Sequence, residues 1–294
     1  MRYTAITCHF GNLFWIENLI KSLDGLESIE TIIIGHSYTQ QELDAGITEK
    51  LRNFHSKKVV IHEKVLPVDP ARTHPSIRHS ELLNTLLENL DAESQSSVLI
   101  LDSDTMPLQK TWLDKIHHRL QEADAVLAIS HVSKNETHPC FMAFRPGVTK
   151  KLRFQPKVLR LQIDNSIGEF RCETGSELPF DLTNQGYTVS LMKPKTLFKT
   201  FFHTYLDASF VHFGGQSFKS RAKSRSKNKG LFFRLSVVFK YDFQEFLAYQ
   251  VSNGKSRFFI SKSFLYLWFS CNKITRLVRY SVLPSKSTKD LRTF

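Results

Sequence analysis

Val98, Leu99, Ile100 and Leu101 are four successive apolar β-formers. A strand built from them is apolar on both faces, so it belongs inside a sheet that is covered on two sides. Related runs recur along the chain: residues 3–8, "IETIIIGHS" at 29–37, "VVIHEKVL" at 59–66 and "AVLAISHV" at 125–132. Between them lie stretches with helical periodicity. Leu13, Ile16, Leu19, Ile20 and Leu23 form one stripe that ends near Gly25, and Leu82, Leu83, Leu86, Leu87 and Leu90 form another within 79–90. A third helix is expected in "TWLDKIHHRLQ". Strands that alternate with helices in this way predict an α/β fold with a mostly parallel central sheet and flanking helices. Downstream, "CFMAFRP" reads as a short strand closed by Arg145-Pro146-Gly147, and residues 173–192 read as acidic loop, helix, a stop at Gly186, then strand.

Charge divides the 294 residues in two. Of the 40 Lys and Arg, 17 fall in 216–294, against only 3 of the 28 Asp and Glu, so the formal +12 belongs to the tail. The boundary lies close to Gly215, ahead of a basic linker, "KSRAKSRSKNKG", and two Phe-rich segments. Leu267, Cys271, Ile274, Val278 and Val282 share one helical stripe, with Lys273, Arg276 and Arg279 elsewhere on the helix. That pattern predicts a helical extension that lies on an anionic membrane surface. Nucleic-acid binding through the same basic tail is the rival of a different class, and it leaves the rest of the chain without a task. The four cysteines, Cys8, Cys140, Cys172 and Cys271, show no paired or metal-ligand spacing and read as reduced thiols. With no signal-type or membrane-spanning run in view, the expected location is the cytoplasm, peripherally on the cytoplasmic face of the membrane.

The first strand run ends in "LDSDTMP". Asp102 and Asp104 are spaced i, i+2 where a parallel strand leaves the sheet, the edge at which open α/β sheets bind ligands. Asp and Ser are also ordinary turn residues. Behind a buried strand and before a helix, however, the two acids suit a divalent cation whose other ligands are the phosphates of a nucleotide-diphosphate sugar. Arg78 and His79, just before a predicted helix N-terminus, are placed to meet a phosphate or a base, or simply to cap the helix. Glu173 and Glu177, ahead of the helix that stops at Gly186, are candidates for a general base, or acids that complement the helix dipole.

These pieces, in order, are "AITCHFGNLFWIENLIKSLDG", "RHSELLNTLLENL", "VLILDSDTMPLQKTWLDKI", "HPCFMAFRP", "ETGSELPFDLTNQGY" and "VHFGGQS". Together they make residues 1–215 resemble a GT-A glycosyltransferase of the family 2 type, a Rossmann-like catalytic domain followed by the 216–294 extension. The resemblance implies an inverting transfer from a nucleotide-diphosphate sugar to a saccharide or lipid-linked acceptor, as in surface polysaccharide or lipopolysaccharide assembly. It also implies donor contacts from Thr7, Arg78, His79, Asp102, Ser103 and Asp104, and a metal held by Asp102, Asp104 and His212 of "VHFGG". An imidazole beside carboxylates suits Mn²⁺ better than Ca²⁺, and Mg²⁺ is also compatible. Either Glu173 or Glu177 would take the acceptor's proton. One departure leaves the base open: where such enzymes often carry an acid after the second strand, this chain has Gly35-His36-Ser37.

Overall fold

The computed structural model describes residues 1–9, 13–38, 59–65, 75–90, 95–109, 111–129, 137–154, 158–163, 166–171, 174–196, 203–206, 209–213 and 245. The basic extension expected at 216–294 therefore lies outside the described residues, except for Glu245.

The chain opens with β1 (Tyr3–His9), α1 (Leu13–Asp24), β2 (Ile29–Tyr38), β3 (Val59–Val65) and α2 (Pro75–Glu88). It continues through β4 (Ser97–Asp102), β5 (Thr105–Pro107), α3 (Trp112–Glu122), β6 (Ala125–Ile129) and β7 (Thr137–Phe144). A hairpin of β8 (Val158–Ile163) and β9 (Ser166–Arg171) follows, then α4 (Leu178–Asn184) and β10 (Val189–Met192). Three short strands complete the described elements: β11 (Lys195–Thr196), β12 (His203–Tyr205) and β13 (Phe210–His212).

Seven strands form the central sheet in the order β10-β6-β7-β4-β1-β2-β3. The pairs β1–β2, β1–β4, β2–β3 and β6–β10 are parallel, and β7 alone runs against its neighbours β4 and β6. The mostly parallel sheet is thus present as expected. The "short strand" is instead an eight-residue element in the middle of the sheet, apolar on both sides because it is flanked on both edges.

Side-chain alternation divides the core into two layers. Leu99 and Leu101 of β4 pack with Trp15, Ile16 and Leu19 of α1 and with Trp112, Ile116 and Leu120 of α3. Val98 and Ile100 turn the other way, to Leu82, Leu83 and Leu86 of α2 and Leu178 and Leu182 of α4. A strand must be apolar at every position to serve both layers, which is why residues 98–101 carry no polar alternation. Each fully buried Leu or Ile contributes about 1.5–3 kcal/mol.

Helix α2 lies so close to β2 that a side chain at Gly35 would have no room. A Cβ there would stand 2.7 Å from Leu86 Cδ1 and 2.9 Å from Leu82 Cγ. Gly35 thus serves helix packing. We expect Gly35→Ala to cost about 1–3 kcal/mol of stability through overpacking. The same substitution should cost less in a Leu86→Ala background, because part of the obstruction is gone. Urea denaturation of the four proteins in that cycle is the check, and an equal cost in both backgrounds would show that α2 does not press on Gly35.

Candidate active site at the carboxyl edge of the sheet

Asp102 is the last residue of β4, and Ser103 and Asp104 form the turn into β5. That turn is held from outside the central sheet. Strand β13 pairs antiparallel with β5, with His212 opposite Thr105, Val211 opposite Met106 and Phe210 opposite Pro107. The Phe213 N–H donates to the Asp104 carbonyl at 3.1 Å. Thr105 Oγ1 donates to the Cys140 carbonyl at 2.9 Å and so ties the turn to β7. Aromatic packing seats the returning strand: Phe210 stacks on Phe141 with centroids 4.6 Å apart, and Phe213 meets Trp15 at 5.2 Å. Each such pair adds about 0.5–1.5 kcal/mol beyond its buried area.

This pairing delivers His212 to the two acids. Its Nε2 stands 3.2 Å from Asp104 Oδ1 and 3.7 Å from Asp102 Oδ2. His79 approaches from α2, with Nε2 3.6 Å from Asp102 Oδ1. The side chains of Asp104 and His212 are 12% and 6% exposed, so little water screens the carboxylates. Burial pushes the His79 imidazole down to about 4, against the pull of Asp104, which raises it. His79 is therefore neutral near pH 7 and does not balance the acids. The Cys8 thiol, buried beneath the same edge, is driven well above its ordinary value by burial first and by Asp102 second.

Two carboxylates with little water around them favour a cation nearby. One ligand atom each from Asp102, Asp104 and His212 lies within 4.8 Å of the others, a donor set of two oxygens and one nitrogen. That set fits a divalent ion such as Mn²⁺ or Mg²⁺, whose usual six-fold coordination takes more oxygens than these three ligands supply.

The other predicted residues are distributed as follows. Arg78 and His79 are not ahead of α2 but inside it, its fourth and fifth residues, because the helix begins at Pro75, whose fixed φ suits the first helical position. Thr7 lies in β1, level with Ile34 and Leu101, and is 1% exposed. Glu177 stands at the N-terminal boundary of α4, half-buried, and lines a cleft of about 380 Å³ with Lys151, Arg153 and Asp181. Glu173 lies outside the described residues. The segment ahead of Glu177 is anchored to the sheet edge: Thr137 Oγ1 donates to the Gly175 carbonyl, and Ser80 Oγ to Thr174 Oγ1 at 3.4 Å. Gly175 adopts φ +79°, and a Cβ there would meet Met142 Cε at 2.8 Å.

Several residues at this edge were not read from the sequence. His9, at the end of β1, and His36, opposite it in β2, are at most 1% exposed and stack with centroids 5.5 Å apart. His138 lies beside His212, centroids 4.6 Å apart. The available signal was the period of two in "THPC", which puts His138 and Cys140 on one face of a strand.

No family model matches the chain, and no curated protein matches it. Among solved structures, 185 chains match. One is the mannosyltransferase PcManGT from Pyrobaculum calidifontis, solved with GDP-Man and Mn²⁺, with 12% identity, TM-score 0.46, and coverage of 96% of this chain and 85% of that one. Another is 4-diphosphocytidyl-2C-methyl-D-erythritol synthase from Anaerococcus prevotii, at 12% identity and TM-score 0.43, covering 82% and 95%. A third is TarS of S. aureus, residues 1–349, at 14% and 0.41, covering 84% and 72%. Likeness at this level concerns the course of the chain and assigns no residue a role.

The site generates a direct expectation. Asp104→Asn keeps the size of the side chain but removes its charge, so it should weaken Mn²⁺ binding by roughly 10–100-fold or more while leaving the fold intact. Calorimetry with Mn²⁺ in the presence of inorganic pyrophosphate, a stand-in for a nucleotide's diphosphate, reads this without knowledge of the base. An unchanged Mn²⁺ isotherm would remove Asp104 from the site.

Proposed function

We propose that the chain is a GT-A-type, metal-dependent, inverting glycosyltransferase that moves a sugar from a nucleotide-diphosphate donor to a saccharide or lipid-linked acceptor, in the assembly of a cell-surface polysaccharide or lipopolysaccharide. The observation that carries this reading is the convergence of Asp102, Asp104 and His212 within 4.8 Å at the carboxyl edge of a mostly parallel sheet. Asp102, Asp104 and His212 would hold the divalent ion, which as a Lewis acid stabilises the departing diphosphate.

The chain's own residues account for the rest. Arg78 and His79, the fourth and fifth residues of α2, would meet the anionic donor near a helix end that already favours negative charge. Neutral His79 offers a hydrogen bond rather than a charge, so it orients without competing for the phosphates. In the transfer, the acceptor oxygen bonds to the anomeric carbon as the bond from that carbon to the diphosphate breaks. The acceptor's proton passes to a carboxylate, Glu173 or Glu177. Glu177 gains support from its cleft, whose lining of Lys151, Arg153, Asn184 and Gln185 offers hydrogen-bonding groups that suit sugar hydroxyls.

A panel of nucleotide sugars, screened for Mn²⁺-dependent thermal stabilisation, tests the donor class. At least one should raise the melting temperature only with metal, and a flat panel would defeat the reading. With that donor, Glu173→Gln or Glu177→Gln should lower kcat by about 10²-fold or more with little change in donor affinity, and the variant that does so identifies the base.

The basic, aromatic extension at 216–294 is proposed to hold the enzyme on the anionic cytoplasmic face of a membrane, near a lipid-linked acceptor. Among the described residues no helix is long and apolar enough to cross a membrane. Support for surface attachment comes from composition: each basic residue near an anionic surface contributes about 1 kcal/mol, and Trp268 and Phe269 supply apolar insertion. Trp268→Ser with Phe269→Ser should abolish sedimentation with anionic liposomes. Tight, salt-sensitive RNA binding by the parent protein without liposome binding would instead make the tail a nucleic-acid surface.

A further inference from the structure

The carboxyl edge carries a second group of ligand atoms, of which only His212 has a part in the proposed sugar transfer. His138 and Cys140 are two residues apart on β7 and face the same way. One ring nitrogen each from His138 and His212, and Cys140 Sγ, all lie within 4.8 Å of one another. Cys140 is 0% exposed and not in a disulfide. We propose that His138, Cys140 and His212 form a second metal site, selective for a borderline-soft divalent ion, Zn²⁺ foremost, which shares His212 with Asp102 and Asp104 and therefore excludes the hard ion from them.

Ligand chemistry sets the selectivity. Two imidazoles and a thiolate favour Zn²⁺ over Mg²⁺ or Mn²⁺, whereas two carboxylates and one imidazole accept the harder ions. Bonds of about 2.0–2.3 Å in a tetrahedron put ligand atoms roughly 3.3–3.8 Å apart, so a group already within 4.8 Å closes on the ion by small side-chain movements. The Cys140 N–H donates to His138 Nδ1 at 3.1 Å, so the residue that supplies the sulfur also anchors the ring. Ligation through that nitrogen exchanges the hydrogen bond for a metal bond. The thiol proton leaves to solvent as the sulfur–zinc bond forms, no electron is transferred, and the fourth position is left for water.

Exclusion follows from His212. Its imidazole completes either triad, and two divalent ions a few ångströms apart with one shared ligand repel strongly where water is scarce. Occupation by Zn²⁺ would thus withdraw the nitrogen that the acids need. The antagonism rests on the proposed metal-dependent reading of Asp102 and Asp104, whereas the thiolate site does not.

Co²⁺ is the probe for the full-length protein, because a thiolate ligand gives it a near-ultraviolet charge-transfer band. The parent protein should show that band with the visible spectrum of a four-coordinate ion, and Zn²⁺ should displace it. The band should vanish in Cys140→Ala, fall at least tenfold in apparent affinity in His138→Gln, and persist in Cys8→Ala and Asp104→Asn. Because Cys140 lies in the core, the more exposed His138 supplies the second, independent variant. No band in the parent, a band that survives Cys140→Ala, or undiminished affinity in His138→Gln overturns the site. In a separate arm, one equivalent of Zn²⁺, bound before Mn²⁺ is added in excess, should suppress the Mn²⁺–pyrophosphate calorimetric signal of the parent far more than that of Cys140→Ala, in which Zn²⁺ has only the Asp102–Asp104–His212 ligands to compete for. An intact signal in the parent overturns the exclusion. An inert nucleotide-sugar panel beside an intact thiolate band would defeat the transferase reading and leave the zinc site standing.

Discussion

The hydrogen bond from the Phe213 N–H to the Asp104 carbonyl, with the β13–β5 pairing beside it, joins two segments that are far apart in sequence. Loop closure makes such a contact entropically costly, and three-residue strands return few hydrogen bonds to offset it. The deficit is covered by rings: Phe210 against Phe141 and Tyr205, and Phe213 against Trp15. If this seating were lost, His212 would leave the acids, and Asp104 would lose the imidazole that stands 3.2 Å from its Oδ1. The site's electrostatics are therefore held up by hydrophobic packing one layer below.

The same dependence extends to the opposite side of the sheet. His79 reaches Asp102 only because α2 lies close to β2, and α2 lies close because residue 35 is glycine. Packing geometry thus has a prior claim on the backbone at Gly35. His36, next in the chain, is buried and stacked on His9. The two faces of the sheet consequently contribute different chemistry to one edge, a neutral imidazole from α2 and a carboxylate-bound imidazole from β13.

What the sequence made legible follows from the range of the forces involved. Residues 98–101 and 32–34 announce buried strands because both core layers require apolar side chains there, and the leucine stripe at 82–90 announces a helix for the same reason. Asp102 and Asp104 were legible as strand-end acids, and His212 only through resemblance. The direction of β7 was not legible, since an eight-residue apolar strand looks the same either way round. Strands as short as β5 and β13 have no periodicity to detect, so the contact that matters most to the site had no local signal. The start of α2 at Pro75 was missed because polar residues precede its apolar stripe. The β8–β9 hairpin was missed as well, although Leu159-Arg160-Leu161-Gln162-Ile163 in β8 alternates apolar and polar as a half-buried strand does.

His212 therefore sits where two kinds of chemistry meet. On one side are oxygens that bind weakly and exchange readily, as an ion that must accompany a substrate and leave with its product requires. On the other are nitrogen and sulfur ligands that would hold an ion tightly and serve no turnover. A site built only for transfer has no need of Cys140, and alanine or valine would fill that position in the core as well. The arrangement makes sense of the sulfur if transfer is to be sensitive to the metal that occupies the edge: the strand that buttresses the acids, through the Thr105 bond to the Cys140 carbonyl, also carries the ligand able to draw His212 away from them.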